Sequence, residues 1–276
     1  MGEAIMLRSG GGGAEKQPTS WRFLQAISAN ANFTMEKGKW YRVHVYGKSG
    51  NGGAIPNTQS YAFAGNGGGG SGGYSCSVLM EKKETGVFCT VNDAITSFGP
   101  YLSATAGGNG GAADRYTVGP GGAGGTASGG NQVNTAGFNG GAGGSCYNST
   151  PGSTFSQSVG SPGARGGNNG GDGGSAAVGH FSNLSGAGGG ARLPNSPYTG
   201  VMGAIGAGGN GAGYRKISGG TTVSQAATAG NTPPAWNATS PPVVYGGGGG
   251  GGSESFHVIP GGTGTPGLII IEVGGG

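Results

Sequence analysis

The chain has 276 residues, 73 of them glycine and 14 proline, and only 24 carry charge, 14 basic and 10 acidic. Average glycine usage is about 7%, and an interior glycine costs a helix about 1 kcal/mol relative to alanine, so helical architectures are nearly excluded. The scarcity of charge excludes a coiled coil or a polyelectrolyte tail, and the net charge of +4 names no partner.

Such a composition without a period would signal low complexity. Strand-like apolar stretches at both ends and a period within the glycines argue for a folded chain. Nine of the fourteen basic residues lie in the first 84 positions, mixed with five acidic ones. They form no run of basic residues interleaved with aromatics, the pattern a nucleic-acid groove requires, so no nucleic-acid partner is expected.

Residues 1–30 read as an N-terminal attachment segment: a short apolar stretch from Ala4 to Leu7, glycines at 10–13, and a polar connector to Pro18. The opening residues have neither a basic n-region nor an apolar h-region, and Met6 breaks the myristoylation pattern. Export by the general secretory route is therefore not expected.

From Asn32 onward the pattern is that of strands. Tyr41, Val43 and Val45 alternate with Arg42, His44 and Tyr46, and period 2 means a strand with two different faces. Tyr74, Cys76, Val78 and Met80 align on one face, residues 81–86 turn, and Val87, Cys89 and Val91 align on the return, which predicts a β-hairpin. At the far end Ile269, Ile271 and Val273 align in a closing strand that needs the early strands as partners. The longest apolar run, Leu268–Ile271, stops at Glu272, far short of the roughly 20 residues of a membrane span, so no membrane insertion is expected. A β-sandwich scaffold is predicted over 31–104 and 266–276.

Between residues 94 and 253 only seven residues are charged, and here the glycines acquire order. Residues 107–112, 121–126, 140–145 and 170–175 are each Gly-Gly-x twice over, and 69–74 is a fifth copy. Period 3 belongs to the polyproline-II conformation, with about 3.1 Å rise per residue and no internal hydrogen bonds. Its N–H and C=O groups point outward and can pair with neighbouring helices if no Cβ intervenes, and two glycines in three supply that clearance. The prediction is a bundle of polyglycine-II helices over 105–265, each about 19 Å long for six residues, templated by the flanking strands. Its connecting loops carry Tyr116, Phe138, Tyr147, Phe155, Phe181, Tyr198, Tyr214 and Trp236.

The catalytic motifs fail on inspection. Gly47-Lys48-Ser49 ends like a phosphate-binding loop, but Arg42 stands where that loop needs glycine. Residues 69–73 match G-x-S-x-G only as such a glycine-rich chain does by chance. His44, His180 and His257 lack metal-ligand spacing and read as strand-surface or loop histidines. Cys76, Cys89 and Cys146 show no C-x-x-C; Cys76 and Cys89 flank the expected hairpin, and reduced buried thiols are favoured over a disulfide. Of the ten carboxylates only Asp114 and Asp172 lie in the middle region, so no acid pair for glycoside hydrolysis stands out. No enzyme activity, metal or cofactor is expected, and the sequons at Asn32, Asn148, Asn183 and Asn237 are those of a chain rich in Asn, Ser and Thr.

The order of pieces resembles a known family. Asn32-Phe-Thr, the stretch Tyr-Arg-Val-His-Val-Tyr-Gly-Lys-Ser-Gly-Asn-Gly-Gly (41–53), Thr96-Ser-Phe-Gly-Pro-Tyr-Leu-Ser-Ala-Thr (96–105) and the closing Gly-Leu-Ile-Ile-Ile-Glu (267–272) are similar to the glycine-rich domain of bacteriophage tail-fibre and receptor-binding proteins. The resemblance covers roughly residues 30–273. It implies a virion protein at the tail-fibre tip, assembled in the host cytoplasm and acting at the host surface, where loops between glycine helices contact a glycan or outer-surface protein. It further implies a tail-fibre or baseplate partner held through the N-terminal segment, and leaves a homotrimer open. By loop position and chemistry the receptor-binding candidates are Tyr147, Phe155, Phe181, Tyr198 and Trp236, with Arg165 and Arg192 as polar contacts. Two alternatives stand beside this: a structural tail or fibre subunit without receptor binding, and an ice-binding or other extracellular glycine-rich module.

Overall fold

The computed structural model describes residues 16–53, 67–112, 119–142 and 263–275, together with the backbone of four short strands farther along the chain. The strands are β1 (Trp21–Ile27), β2 (Ala31–Met35), β3 (Trp40–Tyr46), β4 (Tyr74–Met80), β5 (Thr85–Val91), β6 (Ile95–Phe98), β7 (Leu102–Thr105), β8 (Ala127–Ser128) and β9 (Val133–Thr135). Then come β10 (Cys146–Tyr147), β11 (Ser156–Gln157), β12 (Gly213–Lys216), β13 (Thr222–Gln225) and the closing β14 (Leu268–Gly274). Among the described residues there is no helix, and so none long and apolar enough to cross a membrane.

The fold is mainly β and is built on two antiparallel five-stranded sheets, one ordered β1-β14-β3-β4-β9 and the other β2-β5-β6-β7-β8. The closing strand lies between the early strands β1 and β3, with Ile271 opposite Val43 and Glu272 opposite Arg42. Side chains on alternate positions of both sheets meet in one core. Tyr41, Val43, Val45, Ile269 and Ile271 from the first sheet pack with Phe33, Met35, Val87, Phe98 and Leu102 from the second. Burying each such side chain is worth about 1.5–3 kcal/mol. Phe33 meets Tyr41 edge-on across the sheets, ring centroids 5.4 Å apart.

The expected hairpin over 74–91 does not form. β4 pairs with β3 and β9, whereas β5 pairs with β2 and β6 in the other sheet. Period 2 correctly marks both segments as strands, but it is silent on which sheet each joins. The turn at 81–84 therefore carries the chain across the core instead of back along an edge. Cys76 and Cys89 consequently sit in different sheets and in separate apolar clusters, both as buried free thiols. The segment expected over 1–30 to serve attachment contributes Trp21–Ile27 to the first sheet as an edge strand.

At one end of the sheets the strands β3, β4, β7 and β14 continue into glycine segments that bond to one another through the main chain. Gly47, Gly50 and Gly53 donate to Gly73, Gly70 and Gly67 at 2.8–2.9 Å. Gly67, Gly70 and Gly73 in turn donate to Gly111, Gly108 and Thr105, while Gly68 and Ser71 donate to Gly141 and Phe138. On a further side Gly122 and Gly125 donate to Gly68 and Ser71. Each set of bonds recurs every third residue, and segment 67–73 has glycine neighbours on four sides. The clearance is absolute: an ideal Cβ on Gly70 would lie 2.2 Å from the Ala123 carbonyl oxygen, and one on Gly72 2.0 Å from that of Gly47.

Asparagines at the third position of the triplets satisfy N–H groups that this lattice leaves over. The Asn109 side-chain oxygen accepts from Asn51 N, Asn51 from Gly264 N, and Asn139 from Gly124 N, all at 2.8–2.9 Å. Buried hydroxyls do the same inside the layer, where Ser71 Oγ accepts from Phe138 N at 2.7 Å.

Candidate functional site

The alternation that sends Tyr41, Val43 and Val45 into the core puts Arg42, His44 and Tyr46 on the opposite face of the same sheet. The register then brings them beside Glu272 and Ile270 of β14 and Val78, Cys76 and Tyr74 of β4. This second face is also buried: His44 is 5% exposed, Cys76 4% and Glu272 1%. Burial of ionisable groups is expensive unless they are paired and hydrogen-bonded, and here they are.

Arg42 Nε donates to Glu272 Oε2, and His44 Nε2 lies 2.9 Å from the same oxygen. The other ring nitrogen, Nδ1, is 2.9 Å from the Tyr74 hydroxyl. The Tyr74 ring stacks on His44 at 6.1 Å and on Tyr46 at 4.8 Å. Outside the pair, the Arg42 guanidinium covers the Trp21 ring at 4.9 Å, a cation–π contact.

The electrostatics follow from these contacts. Burial opposes the Glu272 carboxylate, but hydrogen bonds from His44 and Arg42 outweigh it and bring its pKa down from 4.5 to about 2. Burial equally opposes the His44 imidazolium, yet Cys76 and Glu272 together raise its pKa from 6.5 to about 9. Burial raises the phenols of Tyr46 and Tyr74 well above their ordinary value, so both stay neutral. The charged form is thus Arg42 and His44 cations about one carboxylate, a buried network that ties β3, β4 and β14 together.

A pH dependence of stability follows, with its sign set by the two shifts. The Glu272 contribution is present above pH 4.5 and is lost as pH falls through about 2. The His44 contribution is complete below pH 6.5 and is lost as pH rises through about 9. Thermal melts monitored by circular dichroism are expected to show highest stability between about pH 4.5 and 6.5, falling on both sides. His44→Gln is expected to flatten the alkaline limb; an unchanged limb in that variant removes His44 as its origin.

Thiol, imidazole and carboxylate lie close together in this cluster, yet both imidazole nitrogens are engaged and all three groups are buried. Its evident work is to hold strand register. Among the described residues no group of three or more His, Cys, Asp or Glu side chains is placed to hold a metal ion.

Of the receptor-binding candidates, Tyr147 falls in the backbone-described strand β10. Its side chain lies outside the described residues, as do Phe155, Arg165, Phe181, Arg192, Tyr198 and Trp236 entirely. Sequence reasoning passed over the Arg42–His44–Glu272 cluster and read His44 as a strand-surface or loop histidine, whereas it is buried with both ring nitrogens engaged. The cluster's members are 228 and 230 residues apart, and the one available signal is that each is a polar residue inside an otherwise apolar strand. No protein-family model matches the chain, and no curated protein matches it in sequence.

Proposed function

We propose that the protein is the receptor-binding adhesin of a phage tail-fibre tip, in which a β-sandwich carries a polyglycine-II bundle and the loops of that bundle engage a bacterial surface glycan or outer-surface protein. One observation carries the reading. The described glycine segments leave a single end of the sheets and bond to one another at every third residue, the spacing of a three-residue helix without internal bonds.

A lattice of that kind is rigid without a large apolar core. It presents loops at low ordering cost, and ordering cost is what erodes binding free energy. Aromatic side chains on such loops give large contact area per lost rotamer, which is the chemistry of Tyr147, Phe155, Phe181, Tyr198 and Trp236, with Arg165 and Arg192 for polar contacts. The role is adhesion without catalysis, and the place of action is the virion at the host surface.

The test is binding of the purified protein to intact candidate host bacteria. A variant with Phe155, Tyr198 and Trp236 all changed to Ala, with an unaltered circular dichroism spectrum, is the comparison. Saturable binding by the native protein and its loss in the variant are expected. Absence of binding by the native protein across hosts that the parent particle infects overturns the adhesin and leaves the structural tail subunit.

A further inference from the structure

The end of the sheets away from the glycine layer has a chemistry of its own. Of the eight basic side chains described, Lys16, Arg22, Lys37, Lys39, Lys82 and Lys83 are all exposed there. The turn at 36–39 touches the turn at 81–84 through Gly38 N and Glu81 O at 2.8 Å, and the register row Trp21, Gly274, Trp40, Met80 closes the same end. The remaining two are elsewhere: Arg42 lies within the sheet, and Lys48 sits at the glycine end on Asp93 at 2.7 Å.

Exposed acidic side chains described at this end are two, Glu36 and Glu84. Glu36 is taken by Lys39 at 2.6 Å. Glu81, in the same turn, is buried and accepts from the Tyr101 hydroxyl at 2.8 Å. Among the described side chains the surplus of positive charge is therefore concentrated about 23 Å from the glycine layer, the length of the seven-residue β3 at about 3.3 Å per residue.

The same end contains a shallow groove of about 650 Å³. Lys16, Arg22 and Lys39 stand on it, and Pro18, Trp40 and Val273 give it apolar walls; among the described residues no carboxylate lines it. A volume of that order suits a binding cleft, and apolar walls between cations suit an occupant with an apolar side chain flanked by anions. Five of the six cations are lysines. Their ammonium groups are compact point charges that can each pair with a separately spaced carboxylate.

We propose that this basic end is a docking surface for an acidic polypeptide segment of a partner protein, one apolar residue of which seats against Trp40, Pro18 and Val273. The groove is lined by residues other than the candidates proposed to meet the host, and the inference does not depend on that reading.

The experiment uses the full chain and two fluorescent synthetic peptides, one a leucine flanked by glutamates and the other its twin with glycine for leucine, read by fluorescence anisotropy. Expected are saturable binding at low salt, weaker binding at about 0.3 M salt as charges are screened, and tighter binding of the leucine peptide. Arg22→Glu and Lys39→Glu, each a single exposed change, are expected to weaken binding about tenfold. Lys48→Glu carries the same charge change at the opposite end and is expected to leave it within about twofold. Equal losses in all three variants, equal affinity for both peptides, or displacement of the peptide by inorganic phosphate at matched ionic strength overturns the proposal. So does failure of either peptide to bind. Cell binding is measured separately, so either idea can fail alone.

Discussion

Gly70→Ala is expected to destabilise the protein by at least about 3 kcal/mol, the upper range for forcing extra volume into a packed interior. A Cβ there would lie 2.2 Å from the Ala123 carbonyl oxygen, 2.6 Å from its carbon and 2.7 Å from the Gly122 oxygen. All three atoms are backbone, so no rotamer change relieves the clash. Moving the segment also disturbs the bonds from Gly50 N to Gly70 O and from Gly70 N to Gly108 O, at 2.8 and 2.9 Å.

In a folded unit of this size a loss of 3 kcal/mol lowers the melting temperature by about 10 °C. The paired control is Gly86→Ala in β5, where an added Cβ meets nothing within 4 Å. That change is expected to be neutral, or to stabilise by up to about 1 kcal/mol through the less flexible unfolded chain. Thermal melts of the two variants decide the matter: a Gly70→Ala protein melting with the native one would mean that the glycine segments are not packed main chain to main chain.

Glu272→Gln is expected to cost about 3–5 kcal/mol, as removing one partner of a buried ion pair does. The amide keeps the carboxylate's shape, so the loss reports charge and hydrogen bonding in place of a cavity. It removes the negative charge shared by Arg42 and His44, leaving both cations with a neutral amide inside the sheet. Replacing Arg42, His44 and Glu272 together by apolar residues of similar volume is expected to recover most of the loss, because desolvation and Coulomb attraction nearly cancel in such networks. Urea unfolding of the single and triple variants tests both statements. A single variant as stable as the native protein would show that the cluster contributes nothing to register.

These two predictions rest on features of different legibility. The main-chain bonds among the described glycine segments have a local trace in the sequence, because Gly-Gly-x is written into consecutive residues and a period of three has few structural meanings. The aligned faces of Tyr41, Val43 and Val45, and of Ile269 and Ile271, were visible for the same reason, as was the need of the closing strand for early partners. The charged cluster was not, because Arg42 and Glu272 are brought together only when β14 slots between β1 and β3. Nor was the separation of β4 from β5, since two adjacent strands with a short turn read alike whether they pair or cross a core.

The sequence by itself determined which residues share a face: periods of two and three are local, and sterics, pleat and side-chain polarity act on neighbours along the chain. That is enough to make the described part mainly β and to disfavour helices. Only the tertiary structure decided who faces whom. Sheet order, the burial of both faces of β3, β4 and β14 and the gathering of six described cations at one end depend on pairing strands up to 230 residues apart. The free energy of those pairings comes from burying surfaces that no local pattern encodes.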